Sequence, residues 1–109
     1  MRRYLERGLM TQILIQTKGF DLTQALKDTC EKYGKKISNR DAQLEKVDFF
    51  LDCAGKKEGK IFIAKIKIDR KGKDLFIEEK NIDMYVAIRN VCKKAKISLE
   101  KLEKNEIKV

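Results

Sequence analysis

Residues 44–77 carry three strand-like runs joined by links too short to hold a helix, and this constrains the fold more than any other feature of the chain. In 44–53, Leu44, Val47, Phe49, Leu51 and Cys53 supply an apolar side, while Lys46, Asp48 and Asp52 take the other. In 60–69, Phe62, Ala64, Ile66 and Ile68 alternate with Lys65 and Lys67. Alternation of period two places one set of side chains in a core and the other in water, as in a half-buried strand. Leu75, Phe76 and Ile77 centre the third run. The first link is the glycine-bearing segment 54–59. The second, Asp69-Arg70-Lys71-Gly72-Lys73, is a tight hairpin signal. Strands joined this closely form an antiparallel meander.

Each flank of the meander holds a segment of helical period. Upstream, Ile13, Leu14 and Ile15 form a β-branched run that predicts a strand over 11–18. Phe20-Asp21-Leu22-Thr23-Gln24 then opens a helix, with Asp21 as cap, Gln24 at the reciprocal position of a capping box and Phe20 stapled onto Ala25. Leu22, Ala25, Leu26, Cys30, Tyr33 and Ile37 give it one apolar stripe. Gly34 inside that stripe weakens the helix by about 1 kcal/mol relative to alanine, which implies close packing or early fraying. Residues 38–41 are polar and break the pattern. Downstream, Asp83 caps a long helix whose stripe runs Tyr85, Ile88, Val91, Cys92, Ala95, Leu99 and Leu102.

The order is therefore β-α-β-β-β-α, an α+β fold. Two helices with one apolar stripe each need a common surface. A four-stranded, mainly antiparallel sheet with both helices on one face provides it. Such a sheet turns Lys65 and Lys67 to water. The order excludes an RNA-recognition motif, which needs a helix between its third and fourth strands, and the paired aromatics that stack bases on such a sheet are not evident. It is close to a double-stranded-RNA-binding domain with an added leading strand. The expected division is a flexible extension over 1–10, one domain over 11–103 and a frayed tail over 104–109. Met10 is a candidate functional start.

Composition narrows the function classes. Charged residues make up 39% of the chain, and 26 basic against 17 acidic side chains leave a formal charge of +9. Such a surplus favours an acidic partner, nucleic acid first. The chain has no histidine, which removes the usual general base near neutral pH and the commonest zinc ligand. Cys30, Cys53 and Cys92 stand far apart without a CxxC pair, so they read as small buried hydrophobes in a reducing cytosol rather than metal ligands. Asp48, Asp52, Asp69 and Asp74 are ordinary strand and turn carboxylates, and no nucleophile–base pair accompanies them. No enzyme, metal or cofactor is expected. No apolar run approaches the roughly 18 residues that a membrane span needs, and a cytoplasmic protein without a membrane or small-molecule ligand follows.

The positive charge is ordered. On the first helix Lys32 and Lys36 are four apart and share a flank, with Lys27 on the other. On the last helix Lys94 and Lys101 share one flank, and Arg89, Lys93 and Lys96 form a second stripe. From Arg89 to Lys96 there are four basic residues and no acidic one, whereas an ordinary solvated face mixes signs. Glu100, Glu103 and Glu106 dilute the charge beyond. Cations on two rigid helices recognise folded RNA through phosphate positions and shape rather than base identity.

Three pieces of the sequence carry a family resemblance. Phe20-Asp21-Leu22-Thr23-Gln24-Ala25-Leu26-Lys27 looks like a first-helix start, Lys32 and Lys36-Ile37 continue it, and Asp83-Met84-Tyr85-Val86-Ala87-Ile88 looks like the start of a last helix. Over roughly 11–103 the chain resembles the ribosome hibernation-promoting factor family, also labelled the sigma-54 modulation family. The resemblance implies a stress-linked, non-catalytic translation inhibitor. It would bind 16S rRNA of the small subunit between head and body and occupy the messenger and transfer RNA sites of the decoding region. Lys27, Lys32, Lys36, Lys94 and Lys101 are the RNA-facing residues by position; Arg89, Lys93 and Lys96 are added from the charge stripe. Ile97, on the exposed face, stands where many members carry arginine, and Thr17 where many carry glycine. The chain ends soon after the last helix, without the long form's dimerisation domain, so a short-type member, monomeric off the ribosome, is expected. A generic structured-RNA binder and a protein-interaction adaptor are the competing readings; binding to intact subunits and steep salt dependence separate them.

Overall fold

The computed structural model describes residues 11–40, 43–55 and 59–108, with side chains as far as Lys104. The expected extension over 1–10 lies outside the described residues. The element order is β1 (Gln12–Thr17), α1 (Gln24–Arg40), β2 (Leu44–Ala54), β3 (Ile61–Arg70), β4 (Leu75–Asn81) and α2 (Met84–Lys108). The strands lie in the sheet in chain order. β1 runs parallel to β2, with Ile13 beside Val47 and Ile15 beside Phe49. β2–β3 and β3–β4 are antiparallel. The parallel pair requires a crossover, and α1 supplies it. The sheet is thus mixed, with one parallel step and the expected meander.

Period two fills the core from below. Val47, Phe49 and Leu51 of β2 and Ala64, Ile66 and Ile68 of β3 are buried. From above, Leu26, Cys30 and Ile37 of α1 and Met84, Ala87, Ile88, Val91, Cys92, Ala95 and Leu99 of α2 close over them. α1 packs on β1 and β2, α2 on β3 and β4, and the two helices touch each other. Leu44 breaks the parity of β2: the register shifts between Leu44 and Lys46, so Leu44 and Val47 are both buried. Gly72, at φ 91°, makes the β3–β4 turn, where Lys73 N–H donates to the Arg70 carbonyl at 3.1 Å.

Gly34 is buried because α1 approaches β1 closely. A Cβ there would lie 3.1 Å from Cδ1 and 3.2 Å from Cγ2 of Ile13. The glycine therefore marks close packing, and α1 continues through the polar residues to Arg40.

Several local expectations are corrected. Thr23, not Asp21, caps α1: its Oγ1 accepts the Leu26 N–H at 3.2 Å. Gln24 is then already helical, and its amide donates to Asp28 at 2.8 Å instead of reaching back. Ala25 is exposed, so Phe20 does not staple onto it. The Phe20 ring meets Phe62 edge-on at 6.5 Å, a larger apolar partner than a methyl group. The capping role of Asp83 holds, with Oδ1 accepting the Tyr85 N–H at 2.8 Å. The stripe of α2 begins at Met84, however. Tyr85 is 45% exposed, since one residue further round the helix points away from the sheet. The backbone of α2 stays helical past Leu102 to Lys108.

Candidate nucleic-acid interface

The two helices leave a groove between them, and cations line it. One cavity of about 180 Å³ is bounded by Lys36 and Arg40 of α1 and by Arg89, Lys93 and Lys96 of α2, over a floor of Tyr33, Ile37 and Cys92. A second, of about 260 Å³, adjoins it toward the start of α2 and is bounded by Lys32, Tyr33, Tyr85 and Arg89 among others. Tyr33 and Arg89 belong to both, so the cavities form one trough.

Helical period explains the lining. Lys32, Lys36 and Arg40 succeed one another at i, i+4, which keeps them on one flank of α1. That flank faces α2. The Tyr33 ring has the Lys32 and Lys36 ammoniums 5.9 and 5.7 Å from its centroid. An aromatic face attracts cations and fixes their approach at a modest gain of about 0.5–1 kcal/mol at an exposed site. Arg89, Lys93 and Lys96 answer from the facing flank of α2. The far end is closed by Arg40, whose guanidinium meets Glu100 at 2.6 Å. Both side chains are well exposed, so this bridge adds about 0–1 kcal/mol of stability. Its consequence is electrostatic, because it neutralises that end and leaves the surplus charge near Lys36, Arg89 and Lys93.

Of the eight expected residues, Lys32, Lys36, Arg89, Lys93 and Lys96 therefore meet in the trough. Lys27 lies on the α1 flank away from α2. Lys94 points to the other side of its helix, toward the sheet, where its ammonium meets Glu79 of β4 at 2.5 Å. Lys101, two turns on, shares that flank and is exposed. Arg40 was not among the expected residues, although it extends the Lys32, Lys36 series by one more turn. Ile97 is 51% exposed on the outer face of α2.

The open face of the sheet differs. Its lysines are interleaved with carboxylates: Lys46 approaches Asp48 at 3.8 Å, Lys67 approaches Asp69 at 3.6 Å, and Lys65 stands opposite Glu78 in the register. It also carries two aromatics, one of which, Phe50, the alternation of its strand left out. Phe50 is half-buried, and Phe76 is 72% exposed with the Lys67 ammonium 5.7 Å from its ring. Charges of both signs cancel there, so the net positive field of the described residues lies on the helical side. Burial pushes the Cys30 thiol up to about 12, with the nearby Glu31 charge adding to the effect, and burial likewise raises Cys92. These thiols stay protonated and inert at neutral pH. Among the described residues no group of three or more cysteine, aspartate or glutamate side chains is placed to hold a metal ion, and no helix is long and apolar enough to cross a membrane.

Comparison with known proteins bears on this geometry. A family model described as "Sigma 54 modulation protein / S30EA ribosomal protein" matches residues 13–106. No curated protein matches the sequence. Among solved structures, the chain is similar to a ribosomal subunit interface protein from Coxiella burnetii, with a TM-score of 0.75, 18% identity, and 85% of this chain and 98% of that one covered. It is also similar to the N-terminal domain of Protein Y from Thermus thermophilus, with a TM-score of 0.71, 22% identity, and 82% and 94% covered. At these identities the likeness establishes the fold.

Proposed function

The chain belongs to the sigma 54 modulation protein / S30EA ribosomal protein family, and on that premise we propose that it is a ribosome-associated inhibitor of translation that binds the small subunit through its helical face. The observation that carries this is the trough. Lys32 and Lys36 of α1 converge with Arg89, Lys93 and Lys96 of α2 on one surface, while the sheet face balances its charges. Phosphate oxygens of folded RNA are the ligand that such an array fits. Lys94 and Lys101 extend the cationic surface around α2, with the exposed Lys94 ammonium also meeting the partly covered Glu79. Lys27 extends it on the far side of α1.

In this reading inhibition is steric. A rigid domain held on the RNA of the decoding region excludes messenger and transfer RNA from the space it fills, and no bond is made or broken. The protein acts in the cytoplasm, where the ribosomes are.

Co-sedimentation with small subunits and whole ribosomes at low and high salt, alongside cell-free translation, tests the proposal. Salt-sensitive binding with inhibited translation is expected. A folded protein that ignores subunits, or that random RNA duplex competes away as readily as subunits do, would overturn it in favour of a generic RNA binder or an adaptor.

A further inference from the structure

A groove that meets phosphates alone has no use for an exposed aromatic ring, yet this one has Tyr85 at its mouth. The core stripe of α2 begins one residue earlier, at Met84, and Tyr85 stays 45% exposed. It borders the cavity of about 260 Å³ together with Thr29, Lys32, Tyr33, Val86 and Arg89. Tyr33 has a different task, since its ring already orients Lys32 and Lys36 at 5.9 and 5.7 Å. That leaves a part-exposed phenol ring lining the same recess between two helices as a guanidinium and an ammonium.

We propose that this recess holds a single unpaired RNA nucleotide, its base stacked on Tyr85 and its phosphate held by Lys32 and Arg89. The inference rests on the RNA-binding reading of the trough and adds to it the state of the RNA. A base inside a duplex shows only its edges in the grooves. Its face reaches a side chain only when the nucleotide is unstacked, and aromatic rings within cationic grooves are the usual platform for such bases. The trough then does two things: the cations along α1 and α2 follow the backbone, and Tyr85 registers one splayed base. A surface that bound duplex RNA by shape would need the cations and not the ring.

The chain contains no tryptophan, so Tyr85→Trp in the full chain places a single indole at the recess. Its fluorescence is followed during titration with a short single-stranded oligoadenylate, with an RNA duplex of matched charge and with inorganic pyrophosphate. Quenching by the oligoadenylate, and by neither of the others, is expected. Tyr85→Ala should weaken oligoadenylate binding about 10- to 100-fold and duplex binding far less, with Tyr85→Phe recovering most of the loss. Because Tyr85 is outside the core stripe, circular dichroism should report a folded domain for each variant. Equal quenching by oligoadenylate and duplex, or an oligoadenylate affinity that Tyr85→Ala leaves unchanged, would overturn the nucleotide site. If the native chain binds small subunits and Tyr85→Ala binds them as tightly, this inference alone fails. If the native chain binds neither RNA nor subunits, the ribosome reading falls with it.

Discussion

Replacing Arg89 and Lys93 together by glutamine should flatten the salt dependence of small-subunit binding by a calculable amount. Both residues are exposed and border the trough, so neutral replacements remove charge without leaving a buried group unpaired. The trough presents Lys32, Lys36, Arg89, Lys93 and Lys96 as five cations for phosphate, while Arg40 is engaged by Glu100. Each neutralised phosphate contributes about 0.7 to 0.9 to the slope of log K against log salt. Five give a slope of about −3.5 to −4.5, a loss of about 100- to 500-fold between 50 and 200 mM salt. Removing two leaves a slope of about −2.1 to −2.7 and a loss of about 20- to 40-fold over the same interval. Binding of labelled protein to purified subunits, measured at several salt concentrations, gives both slopes. Lys94→Gln with Lys101→Gln is the companion variant. Lys94 has Glu79 as an internal partner, so its slope should change by no more than about one. An Arg89/Lys93 variant with an unaltered slope would refute the assignment of the trough to phosphate.

Gly34→Leu should destabilise the domain by about 1–3 kcal/mol, because even a Cβ at that position presses on the buried Ile13 side chain; urea unfolding reads the loss, and Ile13→Val should recover part of it. Asp83→Ala should cost about 1 kcal/mol through loss of the α2 cap, seen as a lower thermal midpoint. Stability should fall with alkaline pH. The unfolded Cys30 thiol ionises from an ordinary 9.0, while the folded thiol holds its proton until about 12. The unfolded state alone loses a proton in that window, so stability present below pH 9 declines by about 1.4 kcal/mol per pH unit for each such thiol. Unfolding curves from pH 8 to 10.5 test this, and Cys30→Ala should make the decline shallower.

Period and local chemistry made most of the fold legible. Val47, Phe49 and Leu51, then Ala64, Ile66 and Ile68, alternate because one side of each strand is buried, and Asp83 caps because its helix has no other start. Misreadings arose where two neighbours were locally equivalent. Asp21 and Thr23 are both good caps, and only the packing of Leu26 decides between them. Met84 and Tyr85 are both apolar enough for the stripe, and the sheet beneath accepts the first. The candidate site was half legible for a similar reason. Each helix displays its lysine stripes in the sequence, but which flank of α1 meets which flank of α2 is a tertiary fact. Hence Lys32 and Lys36 meet Arg89, Lys93 and Lys96, while Lys94 turns to Glu79. Arg40 was hidden because 38–41 looked like the end of the helix. Phe50 of the sheet face was hidden because Phe49 and Phe50 are adjacent and the buried one defined the strand.

Site-directed photo-crosslinking to the small subunit addresses the central claim most directly, with one reporter at Lys93 on the helical face and another at Lys65 on the open sheet. The account predicts crosslinks to small-subunit RNA in the decoding region from position 93 and none to RNA from position 65. Crosslinks to RNA from position 65, with position 93 silent, would contradict it and turn the molecule over on its target.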